Sequence, residues 1–276
     1  MMRSLWTAAS GMRAQQVNVD TIANNVANIN TIGYKSQQAS FKSLLYQNLQ
    51  STSTNNAGEN KPVAAEVGLG SRVAAITSTF TQGNLTHVEN PFSVALEGDG
   101  FFQIRTESGE LQYTRDGSFE ISPVANGNML CTSDGNPVLD AYGNQIILPS
   151  NRVATDLVVN QDGTLAFQDG TGNPAVITDA NGRPVKFGIY QFNNPAGLSK
   201  EGSNNYSVTV ASGAAVAENG NAAVKQTKTH QYYTEASNVD VANEMVNLIV
   251  AQRAYEMNSK AIQASDEMMQ QANALR

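Results

Sequence analysis

Chemistry-bearing residues are scarce in this sequence: its 276 residues include one cysteine and two histidines. The single cysteine, Cys131, excludes an internal disulfide and a cysteine cluster for a metal, and we interpret it as a small hydrophobe in a strand. His87 and His230 do not stand at a two-ligand spacing, so we expect both at surface or turn positions. We therefore predict no metal site and no cofactor.

Catalytic motifs are also missing. The sequence has no Gly-x-Ser-x-Gly elbow and no phosphate-binding loop, and Gly98-Asp99-Gly100 precedes a strand-like run instead of a helix. None of the Asp-Gly pairs has the ligand spacing of a calcium loop, and no two carboxylates stand out as a glycosidase pair. These absences predict that the chain is not an enzyme and has no small-molecule substrate.

Long hydrophobic runs and clusters of basic residues are absent too. The longest aliphatic runs are short, such as Leu248–Ala251, whereas a membrane span needs about 20 residues. The first residues lack the hydrophobic region of a secretory signal peptide, so we expect a cytoplasmic protein or export without a cleaved signal. The formal net charge of -7 argues against nucleic acid as a partner.

Proline and glycine are confined to the middle of the chain. All eight prolines lie between Pro62 and Pro195, only Gly11 and Gly33 precede residue 50, and no glycine follows Gly220. Because these residues break helices, the two ends can form long helices and the middle cannot. The pattern predicts an α+β protein with helical ends around a β-rich centre.

Apolar residues at helical spacing mark the first end as an amphipathic helix. Asn and Thr residues then accumulate before Gly33, where the helix is expected to end. We predict that Gly33 is its left-handed cap. A second helical stretch is expected at about 37–50, with Phe41, Leu44 and Leu45 on one face. The predicted stripe of the first helix consists of Leu5, Ala9, Met12, Val19, Ile22, Val26 and Ile29.

The last 40 residues predict a second long helix, with Ser237 or Asn238 as its N-cap and Asp240 in its first turn. Its apolar seam is heptad-like, but the alternate positions Gln252, Ser259 and Asp266 are polar. Such a seam suits a helix that packs among many neighbours better than a self-sufficient coiled coil. The apolar seam positions are Val241, Met245, Leu248, Tyr255, Ile262 and Met269.

Charge favours pairing of the two ends. Residues 1–45 contain four basic residues and one acidic residue, whereas residues 232–276 contain six acidic and three basic ones. We predict that 1–45 and 232–276 form one helical, coiled-coil-like domain, that 46–75 is an extended linker and that 76–231 is a β-rich domain. Four strand-like runs and repeated Asp-Gly or Asn-Gly turns predict an antiparallel sheet or small barrel there. The runs are Phe101–Ile104, Leu157–Val159, Gly188–Phe192 and Tyr206–Val210.

Several segments resemble motifs of the flagellar rod and hook axial proteins. The segment 24–35 is similar to the N-terminal motif of that family, and the opening residues 3–12 are similar to its distal-rod branch. Further similarity lies in 96–102, 113–119, 235–241 and 252–261. The N-terminal motif positions are Asn24, Asn25, Ala27, Asn28, Asn30, Gly33, Tyr34 and Lys35.

The resemblance implies a structural subunit of the rod in the basal body of the bacterial flagellum. Such subunits leave through the flagellar type III export apparatus without cleavage and polymerise helically into a hollow shaft that carries torque to the hook. The terminal helices would line the shaft, with the β domain outside. The implied partners are further copies of the chain, proximal-rod and hook-side axial proteins, and a ring bushing where an outer membrane is present.

Eight apolar residues of the terminal helices are our candidates for contacts between subunits. A proximal-rod or hook subunit stays open as an alternative within the family. An exported cell-wall glycan hydrolase is a remote alternative of another class. The candidate packing residues are Leu5, Met12, Ile22, Val26, Met245, Leu248, Tyr255 and Ile262.

Overall fold

The computed structural model describes residues 2–50, 65–125, 127–149, 153–168, 174–179, 182–220 and 224–274. An α-helix lies at each end, α1 at Met2–Ala27 and α2 at Val241–Ala274, and the region between them is rich in β-strands. The α+β prediction is therefore confirmed. The chain divides into two units, one of Met1–Ala27, Gln37–Ser78 and Asp240–Arg276, the other of Asn28–Ser36 and Thr79–Val239.

In the first unit, α1 and α2 pack against each other in antiparallel directions. Ser4 Oγ lies 3.3 Å from Ser265 Oγ near one end of the pair, and Asn25 Nδ2 donates to Glu244 Oε1 at 3.1 Å near the other. Between them, Gly11 faces Asn258, whose Nδ2 would be 2.9 Å from a Cβ at residue 11. These contacts recur at steps of seven or fourteen residues along both helices, and the three α2 residues that make them, Glu244, Asn258 and Ser265, are polar.

The N-terminus of α2 differs from the prediction. Asp240 is the cap, because its Oδ1 accepts the Ala242 N–H at 3.0 Å, and the predicted caps Ser237 and Asn238 are wrong. Asn238 instead donates through Nδ2 to Thr79 O at 2.8 Å in the second unit. The short Asp side chain directly before the helix satisfies an N–H that has no partner within the helix.

A two-stranded antiparallel ribbon follows α1 in the first unit. It consists of β1 (Gln37–Ser43) paired with β4 (Ser71–Ser78), and β2 (Tyr46–Gln50) paired with β3 (Ala65–Gly68). The predicted helix over 37–50 is therefore wrong. Asn25 of α1 explains part of this outcome, since its side chain accepts the Gln37 N–H and donates to the Gln37 carbonyl, both at 2.8 Å. Of the predicted linker 46–75, residues 51–64 lie outside the described residues, whereas Tyr46–Gln50 and Ala65–Gly68 are strands of the ribbon.

The second unit is built from short antiparallel strands. Its longest continuous sheet has the order β16-β17-β8-β7-β15-β18. No sheet of the described strands closes on itself, so the predicted small barrel is not formed by them. The strands are β5 Leu85–His87, β6 Val94–Glu97, β7 Phe101–Arg105, β8 Leu111–Thr114, β9 Glu120–Val124, β10 Gly127–Cys131, β11 Ile147–Leu148, β12 Leu157–Val159, β13 Leu165–Gln168, β14 Pro174–Val176, β15 Ile189–Gln191, β16 Ser199–Gly202, β17 Asn205–Ser207, β18 Val216–Ala217, β19 Lys228–Gln231 and β20 Tyr233–Glu235. Two short 3-10 helices lie at Ala154–Asp156 and Pro195–Gly197.

Alternation along β7 gives the second unit two hydrophobic clusters. Phe102 points into a large one and Phe101 into a smaller one, because successive side chains of a strand point to opposite faces. The large cluster includes Leu96, Ile104 and Phe119, all fully buried. Burial of these side chains stabilises the unit by roughly 1.5–3 kcal/mol each before entropic costs are counted.

All four predicted strand-like runs contain strands, although the last ends early, at Ser207, and Val210 is exposed. The Asp116-Gly117 pair is not a hairpin turn. There Asp116 Oδ1 accepts the Ser118 N–H at 2.9 Å in a loop after β8. Cys131 is buried at the end of β10, as predicted. Across the described ranges, no helix is both long and apolar enough to cross a membrane.

Candidate functional site

The N-terminal family motif contributes to both units. In the first unit, Asn25 is buried and its amide is bonded to Gln37 and Glu244, whereas Asn24 and Ala27 are exposed. In the second unit, Tyr34 and Lys35 are buried, Asn28 is half-buried and Asn30 is exposed. The motif therefore includes two buried polar side chains, Asn25 and Lys35, each held by specific bonds.

Gly33 explains the conformation of the motif in the second unit. Its φ is +68°, which confirms the predicted left-handed position, although α1 already ends at Ala27. A Cβ at residue 33 would lie 2.9 Å from the Asp116 N, and the Gly33 N–H donates to the Glu235 carbonyl at 2.8 Å. Only glycine combines this backbone conformation with such close packing.

Lys35 ends the motif in a buried ion cluster with Glu235 and Arg115. Lys35 Nζ lies 2.6 Å from Glu235 Oε1, and Arg115 Nε lies 3.0 Å from Glu235 Oε2. Lys35 also donates to Thr81 O at 2.8 Å, and the Gly83 N–H donates to Glu235 Oε1 at 2.8 Å. One carboxylate thus joins the motif, the loop after β8 and the end of β20.

The charges of the cluster determine the protonation state of Glu235. Burial favours its neutral form, but Arg115 and Lys35 outweigh burial and lower the pKa of the Glu235 carboxyl below its usual value. Burial and the nearby Arg115 guanidinium also lower the pKa of Lys35, although Glu235 opposes that shift. Near neutral pH the carboxylate is therefore ionised between two cations.

Arg115 extends the cluster toward β7. Its Nη1 donates to the carbonyls of Gly98 and Gly100 at 2.7 and 2.8 Å, and its guanidinium lies 5.6 Å from the centre of the Phe101 ring. Four of the segments that carry the family resemblance therefore meet here: 24–35, 96–102, 113–119 and 235–241. The family resemblance includes these segments, but their sequences did not predict that Lys35, Arg115 and Glu235 form one buried cluster.

The other functional feature is the surface of α2. Only Ala251 and Ser265 are buried in the described helix, so most of its apolar side chains face solvent. Six of them recur at steps of three, four and seven on one face, which we call the outward stripe. Val250 is 62% exposed and Met257 70% exposed. The outward stripe consists of Val246, Val250, Met257, Ala261, Ala264 and Met268.

The eight candidate packing residues occupy different environments in the first unit. Ile22 is buried, and Met245 and Tyr255 are exposed. The α1 contacts of α2 involve Glu244, Asn258 and Ser265. Each directly precedes a predicted seam position, namely Met245, Ser259 and Asp266. Sequence reasoning missed the outward stripe, whose heptad spacing was a usable signal. The half-buried candidates are Leu5, Met12, Val26, Leu248 and Ile262.

Neither feature has the arrangement of a reaction centre. Within the described ranges, no three His, Cys, Asp or Glu side chains are grouped so that they can hold a metal ion. The ionisable cluster is sealed from solvent, with Lys35 and Glu235 each 1% exposed. The cluster can therefore fix a backbone arrangement, and the outward stripe can bury apolar surface against another molecule.

Three family models match separate parts of the chain. Residues 5–35 match the flagella basal body rod protein family, and residues 95–167 match the D1 domain of the flagellar hook protein FlgE/F/G family. Residues 230–275 match the C-terminal region of the flagellar basal body rod FlgEFG proteins. The matched parts contain most of α1, the motif, the three charged residues of the ion cluster and all of α2.

Full-length relatives agree with these matches. The chain is 43% identical over 282 residues to the flagellar basal-body rod protein FlgG of Borreliella burgdorferi, covering 100% of this chain and 99% of that protein. It is 38% identical to FlgG of Caulobacter vibrioides, with 100% of both chains covered, and 35% identical to FlgG of Bacillus subtilis, with 98% of both covered. The chain belongs to the flagellar basal-body rod protein family, as a structural rod subunit of the FlgG type.

Proposed function

We propose that this chain polymerises helically into the distal rod, the hollow shaft that transmits torque from the flagellar motor to the hook. The observation that supports it most is the exposed apolar surface of α2. This helix has 34 residues, of which only two are buried, so a large apolar surface is exposed to water. Exposed apolar patches of this kind mark sites of contact with other proteins. Contact with other copies would remove that area from solvent.

The terminal helices supply the shaft wall in this proposal. The antiparallel α1–α2 pair acts as a coiled-coil-like unit, and its remaining surfaces pack against pairs from neighbouring copies. The eight candidate packing residues contribute from both helices. Their number matters because a torque-bearing shaft needs many simultaneous lateral contacts, which together bind more strongly than any one of them. The ion cluster around Glu235 keeps the second unit rigid while this happens.

Partners and route follow from the same proposal. The chain meets proximal-rod proteins at one end of its segment and hook-side axial proteins at the other, and it turns inside a ring bushing where an outer membrane is present. It is exported by the flagellar type III apparatus without a cleaved signal. Proximal-rod and hook subunits are related members of the family, but the relatives described above carry the FlgG name.

Electron microscopy of basal bodies from a strain that lacks this chain tests the proposal. We expect rods that stop before the distal segment and carry no hook. Complementation with the intact gene is the control and restores full-length rods. Rods of normal length that lack only the hook would overturn the proposal in favour of a hook subunit.

A further inference from the structure

Asn238 stands where the chain leaves the second unit for the last time. The chain passes from one unit to the other four times, after Ala27, Ser36, Ser78 and Val239. Asn238 directly precedes Val239, so it belongs to the second unit and lies next to the fourth crossing. Its side chain does not cap α2 and is used for other bonds, all of them within the second unit.

Two further crossings are bonded to the same side chain. Asn238 Oδ1 accepts the Ser36 N–H at 2.7 Å, and Ser36 is the last residue before the chain enters the first unit. Asn238 Nδ2 donates to Thr79 O at 2.8 Å, and Thr79 is the first residue after the chain returns. Nδ2 also lies 2.9 Å from Thr81 Oγ1 and 3.2 Å from Thr81 O. One side chain thus holds three of the four connections at their second-unit ends.

Backbone contacts place these three stretches of chain side by side. Thr79 donates its N–H to Ser36 O at 2.8 Å. Gly83 lies so close to the third stretch that a Cβ there would collide with the Ala236 carbonyl oxygen. Asn238 then bonds those residues of the other two stretches that lie next to the crossings, and it thereby fixes the spacing of the connections.

The bonds of Asn238 require an amide. The Ser36 N–H needs an acceptor, whereas the carbonyl oxygens of Thr79 and Thr81 need donors, and asparagine carries both groups on a short side chain. Aspartate has the same shape but no N–H, and it would place negative charge against the two carbonyl oxygens. The chemistry of the site therefore selects asparagine over the other short polar residues.

We propose that Asn238 is a positioning residue that preorganises the connections between the units for entry into the rod, an inference that rests on the proposed polymerisation. Asn238 is half-buried and Thr79 and Thr81 are exposed, so water can replace their bonds with little effect on folding. Without these bonds, the connections have to be ordered each time a copy joins the rod. That loss of conformational entropy opposes assembly.

Asn238→Ala tests the proposal in the monomer and in the rod. In the purified chain, we expect the Ser36 amide to exchange hydrogen more than tenfold faster by NMR, while urea unfolding stays unchanged. In a strain lacking the chain, we expect rods counted by electron microscopy to fall more than tenfold. Asn194→Ala is the matched control, because it also removes a bond from a side chain to the backbone, from Nδ2 to Ala211 O at 3.0 Å, but away from the crossings. This control should form rods normally.

Asn238→Asp separates the two halves of the amide. It keeps an acceptor for Ser36 but loses the donors to Thr79 and Thr81, so the Ser36 amide should stay protected while rod formation still falls more than tenfold. Normal rods with either Asn238 variant would overturn the positioning role. A loss of rods matched by weaker urea resistance of the purified chain would also overturn it, in favour of a role in folding alone. Failure of the unaltered chain to enter rods would instead overturn the proposed function.

Discussion

Lys35 Nζ and Glu235 Oε1 lie 2.6 Å apart in a site where each side chain is 1% exposed, although 200 residues separate them in the sequence. The bond ties the N-terminal motif to the end of β20 inside the second unit. A buried ion pair is a weak source of net stability, but it strongly disfavours arrangements that leave either charge unpaired. We therefore attribute to this pair the specific fold of the motif segment.

Replacing the shared carboxylate should destabilise the second unit. Glu235→Gln leaves Lys35 and Arg115 buried without a counter-charge, so we expect the free energy of unfolding to fall by about 3–5 kcal/mol. Urea unfolding followed by tyrosine circular dichroism measures the change. Glu97→Gln is the control, since the Glu97 side chain is 52% exposed beside His230 and its loss should change the free energy of unfolding very little. Equal effects of the two substitutions would contradict the role of the cluster.

Acid should weaken the same cluster. The folded-state pKa of Glu235 lies below its ordinary value of 4.5, so its stabilisation is complete above that pH and is lost as pH falls through the lowered pKa. The difference in unfolding free energy between the unaltered chain and Glu235→Gln should be constant near neutrality and shrink below about pH 4.5. Unfolding curves across this range measure it. A difference that does not change with pH would contradict an ionised Glu235.

The left-handed Gly33 should tolerate no side chain. Gly33→Ala combines the left-handed conformation, which costs roughly 1–2 kcal/mol for a residue with a Cβ, with overlap against the Asp116 backbone. Gly135→Ala is a matched control, because its φ is +84° but no atom lies within 4 Å of the added Cβ. Thermal unfolding of both variants measures the difference. We expect a clearly larger loss at Gly33, and equal losses would show that the overlap is relieved.

The helices of a single copy should be less protected than its β-strands. Because the described α2 buries only Ala251 and Ser265, ordering its backbone at roughly 1–2 kcal/mol per residue is poorly offset in one copy. We expect α2 amides to exchange hydrogen rapidly in the monomer, while amides of β7 and β8 exchange slowly. Mass spectrometry of monomer and assembled rods compares the two states. Full protection of α2 in the monomer would contradict assembly-coupled ordering.

Periodicity and helix breakers in the sequence were enough to predict the two helices and the β-rich centre. The lack of catalytic motifs predicted that the chain is not an enzyme, and the family motifs predicted a structural rod subunit. Membership of the rod protein family confirms both predictions. The ribbon at 37–50 could not be predicted because its pairing with 65–78 is non-local. The predicted N-caps of α2, Ser237 and Asn238, lie three and two residues before the observed cap Asp240, since several capping residues stand there and local propensity does not choose among them.

Tertiary partners explain the parts of the site that sequence reasoning did not find. Lys35 was recognised as a motif position, but its partners Arg115 and Glu235 come from distant segments. On α2, the predicted seam residues Leu248 and Ile262 are half-buried. The outward stripe, which begins at Val246, is a different set of residues and is exposed. When a helix has two apolar stripes, its sequence does not show which of them packs against the rest of the same chain.

Assembly of a Val250→Asp chain tests most directly the claim that the exposed face of α2 holds copies together. Val250 is 62% exposed, so the added charge has little to disturb in a single copy. Gln263→Asp introduces the same charge at an exposed position outside the stripe. Both variants are expressed in a strain lacking the chain, and rods are counted by electron microscopy. We predict that Val250→Asp lowers rod formation more than tenfold with unchanged unfolding of the purified chain, while Gln263→Asp forms rods normally. Normal rods with Val250→Asp would contradict the account.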